Sequence, residues 1–451
     1  MGKFSNFIFW SKNRIFRKSA YSAYKEAISY CNKSIDRRVT EDFERRRKMV
    51  EYAYEHCKFY RNYYDSVGFH PSLLKEEKDW ELVPIIEKQM IRDHLNEFVS
   101  DEFCIEHLGS ITTGGSTGKP LKIYKSKNVH YEVLAWRAIG WWKVSPADNE
   151  AIIHRKVPTS FVQIVKNRLL WWPTRRAYLS AKSISEDNIK KFISDLKKNK
   201  IRWIVGYCAA IEYVADYILN KGLKIEGIDL IWSTSSPLTS IIRNKIEAAF
   251  NCKVMDQYGC CEMGNIAIQR PGEEFLTINA DYVHVDIVNQ NNNILNEKKE
   301  YGDVLITELM TIEFPLIKYR LGDKSRYLKT MQESNDGFPK IEFVRGRISD
   351  AVWLPDGTYI DGAFLTTICD NYSDFVACYQ IIQSLDYSIQ VNFIPKKEVE
   401  DFNIARNQII TEFQALTKGQ ITINHSIVSE ISDFAGKRKF IISEISLSKI
   451  K

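Results

Sequence analysis

The feature that most restricts the fold of this chain is an alternation of short apolar runs with longer helical segments between Ala151 and Gln257. Ala151–Ile153, Ile201–Val205, Leu230–Ser233 and Val254–Gln257 read as buried strands, with Gly206 closing the second. Ile184–Asn199, Ala209–Asn220 and Thr239–Phe250 carry the spacing of helices. Strands and helices in this rhythm predict an α/β architecture around a largely parallel sheet. In such sheets ligands bind beyond the carboxyl ends of the strands, where Ser233 to Ser236 and Tyr258 to Glu262 fall.

The flanking regions read differently. Tyr21 to Tyr64 is helical, in one or two helices without internal Gly or Pro. A further helix is expected over Lys88 to Val99, and another over Val129 to Trp142. From Glu274 to Tyr327 the pattern turns to β segments at Tyr282–Val288, Gly302–Glu308 and Pro315–Tyr319, a meander or small barrel. Beyond Arg347 a smaller α/β part is expected, with strands near Val352, Tyr379–Ile382, Ile389–Phe393 and Ile421–Ile423 and a helix over Val399–Leu416. No repeat or low-complexity tether separates these parts. The expected division is an N-terminal domain over residues 1–345 and a smaller, mobile C-terminal domain over 346–451.

Four stretches carry chemistry. In Thr113-Gly114-Gly115-Ser116-Thr117-Gly118-Lys119 small residues, hydroxyls, accessible N–H groups and a cation make a segment suited to polyphosphate. The spacing is not that of a Walker A loop, and Pro120 disfavours a helix directly after it. A plain surface turn is the alternative. Asp256-Gln257-Tyr258-Gly259-Cys260-Cys261-Glu262 offers a ring that can stack on a flat base and a carboxylate that can hold Mg²⁺; a buried tyrosine beside a solvated glutamate is the alternative. Gly302-Asp303 to Glu308 leads into Phe314-Pro315 through Tyr319-Arg320-Leu321-Gly322-Asp323, where an Asp after Gly at a strand end can bind ribose hydroxyls. Arg345-Gly346-Arg347 precedes the hairpin signal Leu354-Pro355-Asp356-Gly357. Taken singly, the last two fit ordinary β-turns.

In this order the four stretches resemble the adenylate-forming superfamily of acyl-CoA synthetases and nonribosomal adenylation domains. The branch they resemble is that of the phenylacetate-CoA ligases, with relatives from capsular and other surface-polysaccharide loci. The resemblance runs from about Leu82 to the C-terminus. It implies that Thr113 to Lys119 form the phosphate loop, that Tyr258 packs on adenine within the segment Asp256 to Gly259, and that Glu262 goes with Mg²⁺. It further implies that Asp323 binds the ribose with Arg347 beside it, that Ser235, Ser236 and Pro237 line the adenine and acyl pocket, and that Lys437 is the C-terminal catalytic lysine. A basic tail, with Arg438 and Lys439 adjacent, is the alternative for Lys437. The chain departs from the family at Ser349, where an acidic hinge residue is usual, at Cys260 and Cys261, and in lacking a glutamate near Ser236.

The activity so implied is ATP-dependent activation of a carboxylic or amino acid through an acyl-adenylate with pyrophosphate release. Acyl transfer to an amine or thiol follows, with a sugar intermediate as one acceptor. The alternatives are an acyl-CoA ligase for an aryl or small acid, with coenzyme A as acceptor, and a catalytically inactive nucleotide-binding scaffold. A net charge of only +6 over 451 residues does not point to a nucleic-acid binder. Nine irregularly spaced cysteines read as reduced thiols in a cytoplasmic protein. Near the N-terminus, Phe4, Phe7, Ile8, Phe9, Trp10 and Phe16 mix with Lys3, Lys12, Arg14, Arg17 and Lys18. That pattern is neither a signal peptide nor a spanning helix; it suits a docking helix or a peripheral membrane contact.

Overall fold

The computed structural model describes the chain except residues 1–2, 114–120, 155–156, 159, 182–183, 236–237, 296–299, 344–345, 348–350, 357–358, 361–364, 366–367, 370, 373, 397–401, 432–439 and 446–451. Two compact units emerge. One comprises Met1–Phe9, Val144–Asp256 and Arg345–Lys451; the other comprises Trp10–Lys143 and Gln257–Val344.

The first unit is built on the expected parallel sheet. Its strands run in the order Arg176–Ser180, Glu150–His154, Trp203–Tyr207, Leu230–Thr234, Lys253–Met255, all parallel. The chain therefore starts one strand in from the edge and reverses direction across the sheet between Glu150–His154 and Trp203–Tyr207, which creates a switch point there. Gly206 does not end its strand, as the sequence suggested. A Cβ at Gly206 would lie 2.6 Å from Ile153 Cβ, so this glycine lets two central strands pack closely. Helices Glu186–Asn199, Cys208–Asn220 and Ser240–Phe250 begin and end close to their expected limits. Ser185 caps the first by accepting from Asn188 N, and Lys200 ends it in the left-handed region at φ 50°.

The C-terminal segment of this unit forms a four-stranded mixed sheet in the order Ile423–Ile427, Ile389–Pro395, Val376–Gln383, Ile441–Ser443, with the helix Phe402–Leu416. Its central pair is antiparallel and both outer pairs are parallel. Tyr379, Phe393 and Phe413 join one apolar core with Ile153, Ile204 and Ile231 of the parallel sheet. The strand expected at Ile421–Ile423 begins where that segment ends.

The second unit combines helices with antiparallel β structure. The segment Tyr21–Tyr64 forms three helices, Lys18–Tyr30, Ile35–His56 and Lys58–Ser66. Lys88–Val99 breaks into an α-helix over Lys88–Asp93 and a 3-10 turn over Leu95–Phe98. The strands Val283–Val288, Gly302–Glu308 and Tyr319–Ser325 pair antiparallel in sequence order. The last of them starts at Tyr319, after the buried Lys318 at φ 45°, and not at Pro315. A second antiparallel sheet contains Gln257–Cys260, Gly264–Gln269 and Leu276–Ile278.

Candidate adenylation site

In the second unit two motifs distant in sequence interlock. The strand Gln257–Cys260 turns through Cys261–Met263 into Gly264–Gln269, with a register shift between Tyr258 and Gly259. The turn is tight: a Cβ on Gly259 would lie 2.3 Å from the Gly264 carbonyl oxygen. Gly264 itself has φ +73° and faces the Tyr131 ring. A bulge of this kind re-aims neighbouring side chains, and Tyr258 donates its hydroxyl to Asp323 Oδ2 at 3.0 Å. On the strand Tyr319–Ser325 alternate residues are buried, so Tyr319, Leu321 and Asp323 share a face. Tyr319 in turn donates to Glu262 Oε1 at 3.3 Å. Each motif thus contributes a tyrosine to the other motif's carboxylate.

Electrostatics follow from burial. Tyr258, Glu262, Tyr319 and Asp323 are all buried. Burial raises the Tyr319 phenol well above its ordinary range, and the Glu262 carboxylate raises it further. The Cys260 thiol is likewise pushed well up, first by burial, then by Glu262 and Asp323, against a Met263 backbone contact and Lys125. These surroundings disfavour the thiolate, the nucleophilic form of the group.

Lys125, Tyr131, Glu308 and Thr311 adjoin this cluster, and sequence reasoning did not single them out. The strands Gly109–Thr113 and Leu121–Lys125 pair antiparallel, with Thr113 opposite Leu121 and Lys125 opposite Gly109. The Lys125 ammonium sits 4.0 Å over the Tyr131 ring. Burial lowers its pKa, against the pull of Glu308, Cys260 and Glu262. Glu308 accepts from Tyr131 and, at 2.6 Å, from Thr311 Oγ1; burial raises its pKa despite Lys125. The signal available in the sequence was an acid closing the apolar strand Gly302–Glu308.

The first unit holds Ser235, Asp256 and Arg347. Ser235 is exposed in the left-handed region at φ 78°, directly after the strand Leu230–Thr234. Asp256 is buried, and so is Ser233, whose hydroxyl has no hydrogen-bond partner among the described residues. At the switch point the His154 and Tyr207 rings lie 4.2 Å apart at the carboxyl ends of adjacent strands, and burial lowers the His154 pKa. Neither residue was expected from the sequence, because an isolated aromatic at a strand end has no distinguishing spacing. Thr113 and Arg347 are described as strand backbone only. Gly114, Gly115, Ser116, Thr117, Gly118, Lys119, Ser236, Pro237 and Lys437 lie outside the described residues.

No family model matches the sequence. The chain is 24% identical to protein CapK of Staphylococcus aureus, across 98% of this chain and 97% of the relative. It is 23% identical to the phenylacetate-coenzyme A ligase of Escherichia coli strain K12, across 65% of this chain and 68% of that enzyme. These likenesses bear out the resemblance to the adenylate-forming superfamily and, within it, to the phenylacetate-CoA ligases. The fold agrees with a crystal structure of 2-hydroxyisobutyryl-CoA ligase in the postadenylation state in complex with R3-HIB-AMP, at a TM-score of 0.71 and 16% identity over 90% of both chains. The lacing of Tyr258 to Asp323 and of Tyr319 to Glu262 thus joins two of the motifs that carry the resemblance.

Proposed function

We propose that this ligase activates a carboxylic or amino acid with ATP and Mg²⁺, releases pyrophosphate, and passes the acyl group to an amine or a thiol. The observation that carries the reading is the hydrogen bond from Tyr258 to Asp323, which brings a stacking ring and a hydroxyl-binding carboxylate together. The donor set fits the nucleotide. A buried carboxylate beside a tyrosine face suits ribose and base. Glu262 suits Mg²⁺, which takes one or two carboxylates and completes its shell from phosphate and water. When bound, Mg²⁺ would supply charge neutralisation at the phosphates.

The work left to the chain is positioning. The carboxylate oxygen of the acid attacks the α-phosphorus, the bond to the bridging oxygen breaks, and pyrophosphate leaves with that electron pair. Such a step needs alignment and charge more than covalent help. Tyr258 and Asp323 would fix the nucleoside, and the segment Asp256 to Gly259 would place it at the strand end. Thr113 to Lys119 would hold the departing phosphates. Ser235, Ser236 and Pro237 would line the acyl side, Arg347 would neighbour the ribose, and Lys437 would bridge carboxylate and α-phosphate. Residues 346–451 would act as a mobile lid carrying Lys437, working in the cytoplasm.

For the acceptor, the full-length likeness to protein CapK supports a role in surface-polysaccharide assembly, with an amine on a sugar intermediate as acceptor. The likeness to phenylacetate-coenzyme A ligase supports coenzyme A as the second reading. The test is pyrophosphate release from ATP and Mg²⁺ with a panel of carboxylic and amino acids, followed by addition of coenzyme A or amines. Thioester or amide formation separates the two readings; a folded protein that binds ATP and releases no pyrophosphate with any acid refutes both. Lys437→Ala should keep ATP binding and lose adenylation, and an undiminished rate would remove Lys437 from the mechanism.

A further inference from the structure

The helix Phe161–Trp171 in the first unit is built unlike the other helices beside the parallel sheet. None of its residues is buried. Phe161 is 80% exposed, Val162 74%, Leu169 73% and Leu170 60%, and Trp172 just beyond the end is 55% exposed. At about 100° per residue Phe161, Val162, Val165 and Leu169 occupy one arc, flanked by Lys166 on one side and Arg168 on the other, whereas Gln163, Asn167 and Leu170 fall opposite. The helix is nevertheless well specified. Ser160 accepts from Gln163 N while the Gln163 side chain accepts from Ser160 N, a capping box that starts it firmly.

Its charge is as one-sided as its apolarity. The sequence has no Asp or Glu between Glu150 and Glu186, while Lys166, Arg168 and Arg175 are exposed. Arg176 lies 3.6 Å over the Trp171 ring. Exposed apolar arcs of this extent mark an interaction surface. Basic side chains around an apolar arc, with a tryptophan pair at one end, match the composition of helices that lie in the headgroup region of a bilayer. Among the described residues no helix is long and apolar enough to cross a membrane, so this one would lie on it.

We propose that the helix Phe161–Trp171 binds the surface of an anionic lipid bilayer, its apolar arc in the headgroup boundary and Lys166, Arg168 and Arg175 against the lipid phosphates. Anionic lipid is favoured over a second copy of the chain because the whole stretch from Ala151 to Ser185 carries only basic charge. Two such stretches facing each other would repel. A single amphipathic element gives reversible, salt-sensitive attachment. This surface is independent of the chemistry proposed above, and either can fail without the other.

The test is co-sedimentation of the full chain with vesicles of phosphatidylcholine containing about a quarter phosphatidylglycerol, and with vesicles of phosphatidylcholine alone. We expect sedimentation with the first at low salt and its loss at high salt or on the neutral vesicles. The double variant Val165→Asp, Leu169→Asp should lower the partition coefficient about tenfold or more. Circular dichroism and pyrophosphate release in solution should stay at the wild-type level, showing that the variant folds. The proposal is overturned if the wild type does not sediment with anionic vesicles, or if the double variant sediments equally. It is also overturned if the variant only abolishes a dimer seen by light scattering.

Discussion

Raising the pH from 6 to 9.5 should weaken the second unit through a single histidine. His284 lies between two carboxylates, with Nδ1 2.9 Å from Asp42 Oδ2 and Nε2 3.2 Å from Asp286 Oδ1. Both ring nitrogens can donate only in the imidazolium form. Burial and the Arg46 guanidinium oppose that charge, yet Asp42 and Asp286 outweigh them and lift the pKa from 6.5 to about 9. A pKa raised in the folded state contributes stability that is complete below 6.5 and disappears as pH rises through about 9. At about 1.4 kcal/mol per pH unit the contribution is about 3 kcal/mol at pH 6 and a few tenths at pH 9.5. The partners have the opposite sign: His284 and Arg46 lower the Asp42 and Asp286 pKa values against burial, so their contribution is lost as pH falls below the ordinary carboxylate range. The network should therefore be strongest between about pH 4 and 6.5. The assay is urea unfolding of wild type and His284→Gln, followed by circular dichroism at both pH values. The stability gap should narrow by about 3 kcal/mol between pH 6 and 9.5; a gap that stays constant refutes the charged imidazolium.

Three further outcomes are expected. Tyr258→Phe keeps the ring but removes the hydroxyl that Asp323 accepts, at a cost of about 1.5–3 kcal/mol for a bond to a charged group. The ATP KM in pyrophosphate release should rise roughly 10- to 100-fold, and an unchanged KM would detach Asp323 from nucleotide binding. Glu262→Gln preserves an acceptor for Tyr319 but not the charge, so melting temperature should hold while pyrophosphate release falls about 100-fold at fixed Mg²⁺; full activity would exclude Glu262 as the metal ligand. Arg137→Ala should destabilise the second unit by about 3–5 kcal/mol in denaturant unfolding, because it strands a buried carboxylate. Arg137 meets Asp281 with both terminal nitrogens, at 2.6 and 2.8 Å, and also bonds Asn279 and Ala27. A loss under 1 kcal/mol would contradict that reasoning.

The parallel sheet was legible because its strands are buried on both faces and its helices keep one apolar face, so periodicity alone separates them. The N-terminal helices were legible as helix but not as to their role. Arg38, Asp42 and Arg46 occupy core positions on the helix Ile35–His56, and a charged residue in a core position reads from the sequence as solvent-facing. For Asp42 and Arg46 the partners lie more than 200 residues away, at His284 and Asp286, and Arg38 likewise donates to the distant Asp336 carbonyl. The exposed helix Phe161–Trp171 escaped for the converse reason: its apolar residues face outward, and no buried stripe marks it.

The site was legible only as far as local spacing carries. Tyr258, Glu262 and Asp323 stood out because glycine must sit beside them. Gly259 avoids a clash with Gly264, and Gly322 adopts φ +79° immediately before Asp323. Tyr319 did not stand out, since a buried tyrosine on a strand is ordinary. Yet its bond to Glu262 is the reciprocal of that from Tyr258 to Asp323. Two crossed hydrogen bonds hold both carboxylates from outside their own turns, so neither turn can shift without breaking a bond made by the other. Buried acids held in this way keep their orientation before any substrate arrives, which is the condition under which charge and alignment lower a barrier. The glycines that made the motifs readable shape the turns, and the tyrosines that fix the acids are set by strand pairing, which only the folded chain displays.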